Sequence, residues 1–177
     1  MYAASFGYEA PTSVAEAVRL LQRHGGDAKL LAGGHSLLPA MKLRLAQPAV
    51  IIDLGRIGGL SGIRLDGDAL VIGALTTHSE IEKSPVVREH CLVLAEVASL
   101  IGDDQVRHRG TFGGSLAHAD PGGDWPAVAL AFDAQLTAVG PNGARTIAAT
   151  DHFVELLTTD LAADEVLTEV RLPRAGR

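Results

Sequence analysis

Cysteine is nearly absent from this sequence: Cys91 stands alone among 177 residues. One thiol forms no internal disulfide, and a cysteine-ligated zinc or iron–sulfur site cannot be assembled from these residues. Basic charge is also in short supply. With 15 Lys and Arg against 21 Asp and Glu, the formal net charge is −6, which argues against nucleic acid, whose phosphates call for clustered cations. A dinucleotide stays open, because backbone N–H groups can hold its phosphates. No apolar run approaches membrane length. Met1 to Ala10 has neither a basic n-region nor an apolar h-region, so no signal peptide is expected and the protein is placed in the cytoplasm. Neither G-x-G-x-x-G nor a Walker A sequence occurs, which lowers the case for a Rossmann or P-loop protein. There are no repeats, and Pro is limited to 8 residues.

Glycine, by contrast, is abundant at 20 residues, and marks many tight turns. Ser13 to His24 reads as an amphipathic helix with Val14, Ala17, Val18, Leu20 and Leu21 on one face. Thr12 or Ser13 can cap it, and Gly25-Gly26 stops it. Apolar runs at 28–32 and 49–54 read as buried strands around a turn or short helix at 36–44. Together they form a small parallel α/β unit. Beyond Arg56 the pattern becomes antiparallel. Hairpin signals sit at Asp66-Gly67-Asp68 and Pro141-Asn142-Gly143, a long helix spans 86–100, and a last strand runs from Val166 to Leu172. The expected fold is α+β, with a small α/β subdomain at 1–56 and a larger subdomain at 57–177.

Two glycine loops carry the chemistry. In Ala32-Gly33-Gly34-His35-Ser36 a glycine pair between strand and helix exposes consecutive N–H groups, an anion nest, and Ser36 adds a hydroxyl. The same residues also make an ordinary strand-to-helix turn. Thr111 to Pro126 holds four Gly, two Asp and one His, with few large side chains. It reads as backbone wrapping a ligand, against a mobile surface loop as the plainer reading. Two loops of one grammar point to one long phosphate-bearing ligand between two subdomains. His118, Asp120 and Asp124, completed by His35, could instead be metal ligands of a hydrolase, although nothing in their spacing enforces convergence.

The stretches 32–57 (AGGHSLLPAMKLRLAQPAVIIDLGRI) and 105–134 (QVRHRGTFGGSLAHADPGGDWPAVALAFDA), with the closing EVLTEVRLP at 165–173, resemble the FAD loops of the molybdenum hydroxylase flavoproteins. That family includes carbon monoxide dehydrogenase medium subunits and the FAD domain of xanthine dehydrogenases. The resemblance covers essentially the whole chain. It implies two α/β subdomains of the vanillyl-alcohol-oxidase-like (PCMH) type with FAD between them. By motif match, Ala32, Gly33, Gly34, His35 and Ser36 would bind the pyrophosphate. Thr111, Phe112, Gly113, Gly114 and Ser115 would form a second phosphate and ribityl loop. Asp124 would hold a polar group of the nucleotide portion, Ile101 would lie near the flavin ring, and Leu161 would pack against the cofactor.

The sequence departs from the family pattern at Phe112 (usually Ile or Val), His108 (commonly Asn), Gly122-Gly123 (usually an Ala pair) and Trp125 (usually smaller). Family medium subunits continue into a further C-terminal domain. The resemblance also implies an iron–sulfur small subunit and a molybdopterin large subunit as partners. FAD would pass electrons to an external acceptor, with no catalytic side chain required. A flavin-binding module without turnover of its own, and the metal-dependent hydrolase, are the competing readings.

Overall fold

Ser13 is extended, and its hydroxyl accepts the Glu16 N–H at 3.2 Å while the Glu16 carboxylate takes the Thr12 N–H at 2.9 Å. These bonds satisfy donors that a helix start leaves over. In the computed structural model, which describes residues 2–173, helix α1 (Val14–His24) follows and ends at Gly25, whose φ is +53°. The apolar face expected from the sequence is the buried one: Ala17, Val18, Leu20 and Leu21 are all sealed.

That face lies against a three-stranded parallel sheet of order β1-β3-β2, with β1 Gly7–Glu9, β2 Ala28–Leu31 and β3 Val50–Asp53. The short β1 carries no run long enough to signal itself and was not foreseen. Helix α2 (Leu37–Lys42) connects β2 to β3. The second sheet is antiparallel, of order β4-β5-β10-β6-β7. Its members are β4 Ile63–Asp66, β5 Ala69–Gly73, β6 Gln135–Gly140, β7 Gly143–Ala148 and β10 Val166–Leu172. Both expected hairpins are present, pairing Asp66 with Ala69 and Gly140 with Gly143. The closing strand takes the central position, between β5 and β6. It also ties the two sheets together, because Val166 is buried in the cluster around α1 with Ile52, Leu54 and Ile57.

Six helices lie between β5 and β6: α3 His78–Lys83, α4 Pro85–His90, α5 Leu92–Leu100, α6 Asp104–Arg107, α7 Phe112–His118 and α8 Asp124–Ala131. Two expectations change here. The 86–100 helix is two helices. Cys91 breaks it with φ −154° and ψ 74°, and is half-buried at the joint rather than inside a helix. Periodicity counted along one axis does not register a change of axis. The second glycine loop is largely not a loop: α7 and α8 occupy most of it. Phe112, Leu116 and Trp125 are fully buried members of the main core, with Phe112 edge-on to Trp125 at 4.8 Å between ring centres. After β7 come α9 (Ala149–His152) and a small pair, β8 Phe153–Glu155 with β9 Thr158–Thr159.

Candidate functional site

The two Gly-Gly segments meet. A β-carbon on Gly33 would stand 2.1 Å from the Arg109 carbonyl oxygen and 2.9 Å from the Gly110 Cα. One on Gly113 would stand 2.5 Å from the Ala74 side chain and 2.7 Å from its Cα. Both glycines are therefore demanded by the approach of protein backbone, not by a ligand. Gly34 is required for its φ of +78°. The second segment is pinned further along strand β5 and its exit. The Phe112 and Gly113 N–H groups donate to the Thr76 and Ala74 carbonyls, both at 2.9 Å.

Around this junction opens a groove of about 700 Å³, within the range of small-molecule sites. Of the residues expected at a cofactor site, Ala32, Gly33, Gly34, His35, Ser36, Ile101, Thr111, Gly113, Gly114, Ser115 and Leu161 line it. Phe112 and Asp124 do not. Phe112 points into the core, where Trp125 takes its ring. Asp124 is exposed at the first turn of α8.

The two loops differ in what they offer. Among the described residues, no protein acceptor meets the N–H groups of 33–37, so the first loop presents a run of free donors. The second loop presents no such run. Beyond the Phe112 and Gly113 donors already named, the Gly114 N–H goes to the Thr111 hydroxyl at 3.2 Å and the Ser115 N–H to the Thr111 carbonyl at 3.1 Å. What remains there is the Ser115 side chain and a smooth wall. The metal alternative gains no support: among the described residues no three of His, Cys, Asp and Glu gather as ligands.

The structure adds groove residues that the sequence did not single out: Lys29, Leu157, Thr159, Ala162, Glu165 and His78. His78 begins α3 and is 3% exposed. Its N–H donates to the Gly110 carbonyl at 3.0 Å, and its Nδ1 receives the Trp125 indole N–H at 3.1 Å. Burial, and then the nearby His35, push its pKa down to about 4, so the ring is neutral at pH 7. Ile101 is positioned from behind. One Arg107 guanidinium nitrogen donates to the carbonyls of Ser99, Ile101 and Gly102 at 3.0–3.3 Å, closing the C-terminus of α5. Glu82 lies 3.1 Å from Arg107 Nε, close but misaligned for a hydrogen bond. Leu161 sits in the segment after β9, held by Arg145. Its guanidinium grips both Glu165 oxygens at 2.7 and 2.8 Å, and Asp160 at 2.6 Å. Arg145 keeps the Glu165 carboxyl below the usual range.

Residues 4–175 match the FAD binding domain in molybdopterin dehydrogenase. The chain belongs to that family, and FAD is its cofactor. Among curated relatives it is 52% identical, over 95% of its length, to the carbon monoxide dehydrogenase medium chain of Hydrogenophaga pseudoflava, and covers 58% of that protein. It is 45% identical, over 94% of its length, to the nicotine 6-hydroxylase medium subunit of Paenarthrobacter nicotinovorans, again covering 58%. Among solved structures, carbon monoxide dehydrogenase from Hydrogenophaga pseudoflava superposes with a TM-score of 0.98 at 51% identity, over 99% of this chain and 61% of that one. Quinoline 2-oxidoreductase from Pseudomonas putida 86 superposes at 0.96 with 36% identity, over 99% and 61%. The chain thus spans about three fifths of the proteins it resembles.

Proposed function

We propose that this chain is the FAD-carrying part of the flavoprotein subunit of a molybdenum-containing hydroxylase, an oxidoreductase active only with partner subunits. In this reading FAD lies in the groove, between a small unit ending near Arg56 and a larger one. Electrons arrive from the [2Fe–2S] clusters of a small subunit, fed by a molybdopterin large subunit, and leave to an external acceptor. One observation carries the reading: both Gly-Gly segments of a family FAD domain converge on one groove with a free run of backbone donors at 33–37.

FAD, when bound, supplies the redox chemistry. The chain's own residues bind and orient. The N–H groups of 33–37 and the Ser36 hydroxyl hold the diphosphate. Ser115 adds a second hydroxyl, and Ile101 and Leu161 form the apolar wall against the ring. These 177 residues hold a single cysteine, too few for a cluster that needs four protein ligands, so in this reading the electrons reach FAD from outside this domain.

Titration of the FAD-free protein, followed by flavin absorbance after gel filtration, should reach about one FAD per chain. No binding at high micromolar FAD would sink the reading.

A further inference from the structure

The Trp125 indole can only donate. Its partner at 3.1 Å is His78 Nδ1, so Nδ1 carries no proton, and the neutral ring bears its hydrogen on Nε2. Among the described residues Nε2 has no protein acceptor. It also differs from His24 Nε2 and His152 Nδ1, which are sealed off without a partner. His78 lines the groove, and Nε2 faces bare Gly110, where a β-carbon would stand only 2.6 Å away. Gly110 is also the point on which Gly33 of the first loop docks. The Nε2–H therefore emerges at the seam of the two loops, beside the free N–H run of 33–37. Open to the groove and without a protein acceptor, this donor is available to a ligand oxygen there.

We propose that His78, fixed by Trp125 as the Nε2–H tautomer, is a cofactor-binding residue that donates a hydrogen bond to an oxygen in the ribityl–diphosphate stretch of FAD. This rests on the groove being the FAD site. Trp125 acts behind it as a positioning residue.

Two variants separate the ring's two nitrogens. His78→Asn keeps an acceptor near the Nδ1 position for Trp125 but has no reach to the Nε2 position. His78→Gln places an amide donor near Nε2 and forfeits the Trp125 contact. Melting temperature and FAD dissociation constant, read by flavin fluorescence, should cross over. Asn should keep the melting temperature and weaken binding roughly tenfold, while Gln should lower the melting temperature and hold affinity within about threefold. Nitrogen-15 spectra of the FAD-free protein should show the proton on Nε2, and Trp125→Phe should mix the tautomers. Parental affinity in a folded His78→Asn, or a proton on Nδ1, would overturn the proposal. A parent protein that takes up no FAD would bring down the groove assignment itself.

Discussion

Single residues in the groove separate into those that build it and those that only face it. Gly33 builds it: a methyl group at that position has nowhere to go but into the Arg109 carbonyl. Ser36 only faces it. Its side chain makes no capping bond to α2 and is exposed. We therefore expect Gly33→Ala to lower the melting temperature and FAD affinity together. Ser36→Ala should leave melting unchanged and weaken FAD by about 1 kcal/mol, the usual worth of one hydrogen bond. Thermal melts paired with FAD titrations check both. An unaltered Ser36→Ala affinity would remove its hydroxyl from the site.

At the scale of elements, two arginines hold the walls that the glycine loops do not supply. Arg107 closes the end of α5 beneath Ile101. Arg145 reaches from β7 to Asp160 and Glu165, clamping the segment that carries Leu161. Exposed ion pairs contribute little singly, but this one is a two-pronged grip on Glu165, whose side chain is largely buried, and Glu165 also accepts the Ala162 N–H at 2.8 Å. Arg145→Met should therefore loosen the segment more than the fold. Hydrogen exchange should quicken across 157–164 while β6 and β10 stay protected, and FAD affinity should fall several-fold. Unchanged exchange in that segment would show that the clamp is ornamental.

At the scale of the whole molecule, two buried histidines make stability depend on pH. Burial lowers the pKa of both His78 and His152, the latter opposed in part by its bond to the Leu116 carbonyl. A lowered folded-state value means that the unfolded chain takes up protons first. Stability is full above the ordinary value of 6.5 and is lost as pH falls from there toward about 4. For His78 alone the loss by pH 5 is about 2 kcal/mol. The Glu165 pair, whose carboxyl is held below an ordinary 4.5, adds its loss as pH falls through 4.5, at the acid end of that window and beyond it. Urea unfolding of the FAD-free protein at pH 7.5 and 5 should show the drop, and His78→Gln should shrink the difference. Equal midpoints at the two pH values would contradict the buried, neutral state of these rings.

Much was legible in the linear order of residues. The α1 face, both hairpins, the closing strand and the two Gly-Gly segments are written in local spacing, because periodicity, capping and turn chemistry act over a few neighbours. The family motifs, being long and contiguous, carry the cofactor. Only the tertiary structure decided the rest, since it depends on groups far apart in sequence. Gly33 is a glycine because Arg109 approaches it, and Gly113 because Ala74 does. The Phe112 and Gly113 N–H groups are spent on the carbonyls of Thr76 and Ala74, so the donor run lies in the first loop. His78 is read as a groove residue only once Trp125, 47 positions away, takes its Nδ1. Spacing fixes what a residue can do with its near neighbours, but burial and partnership across the fold decide which of its polar atoms is left for a ligand.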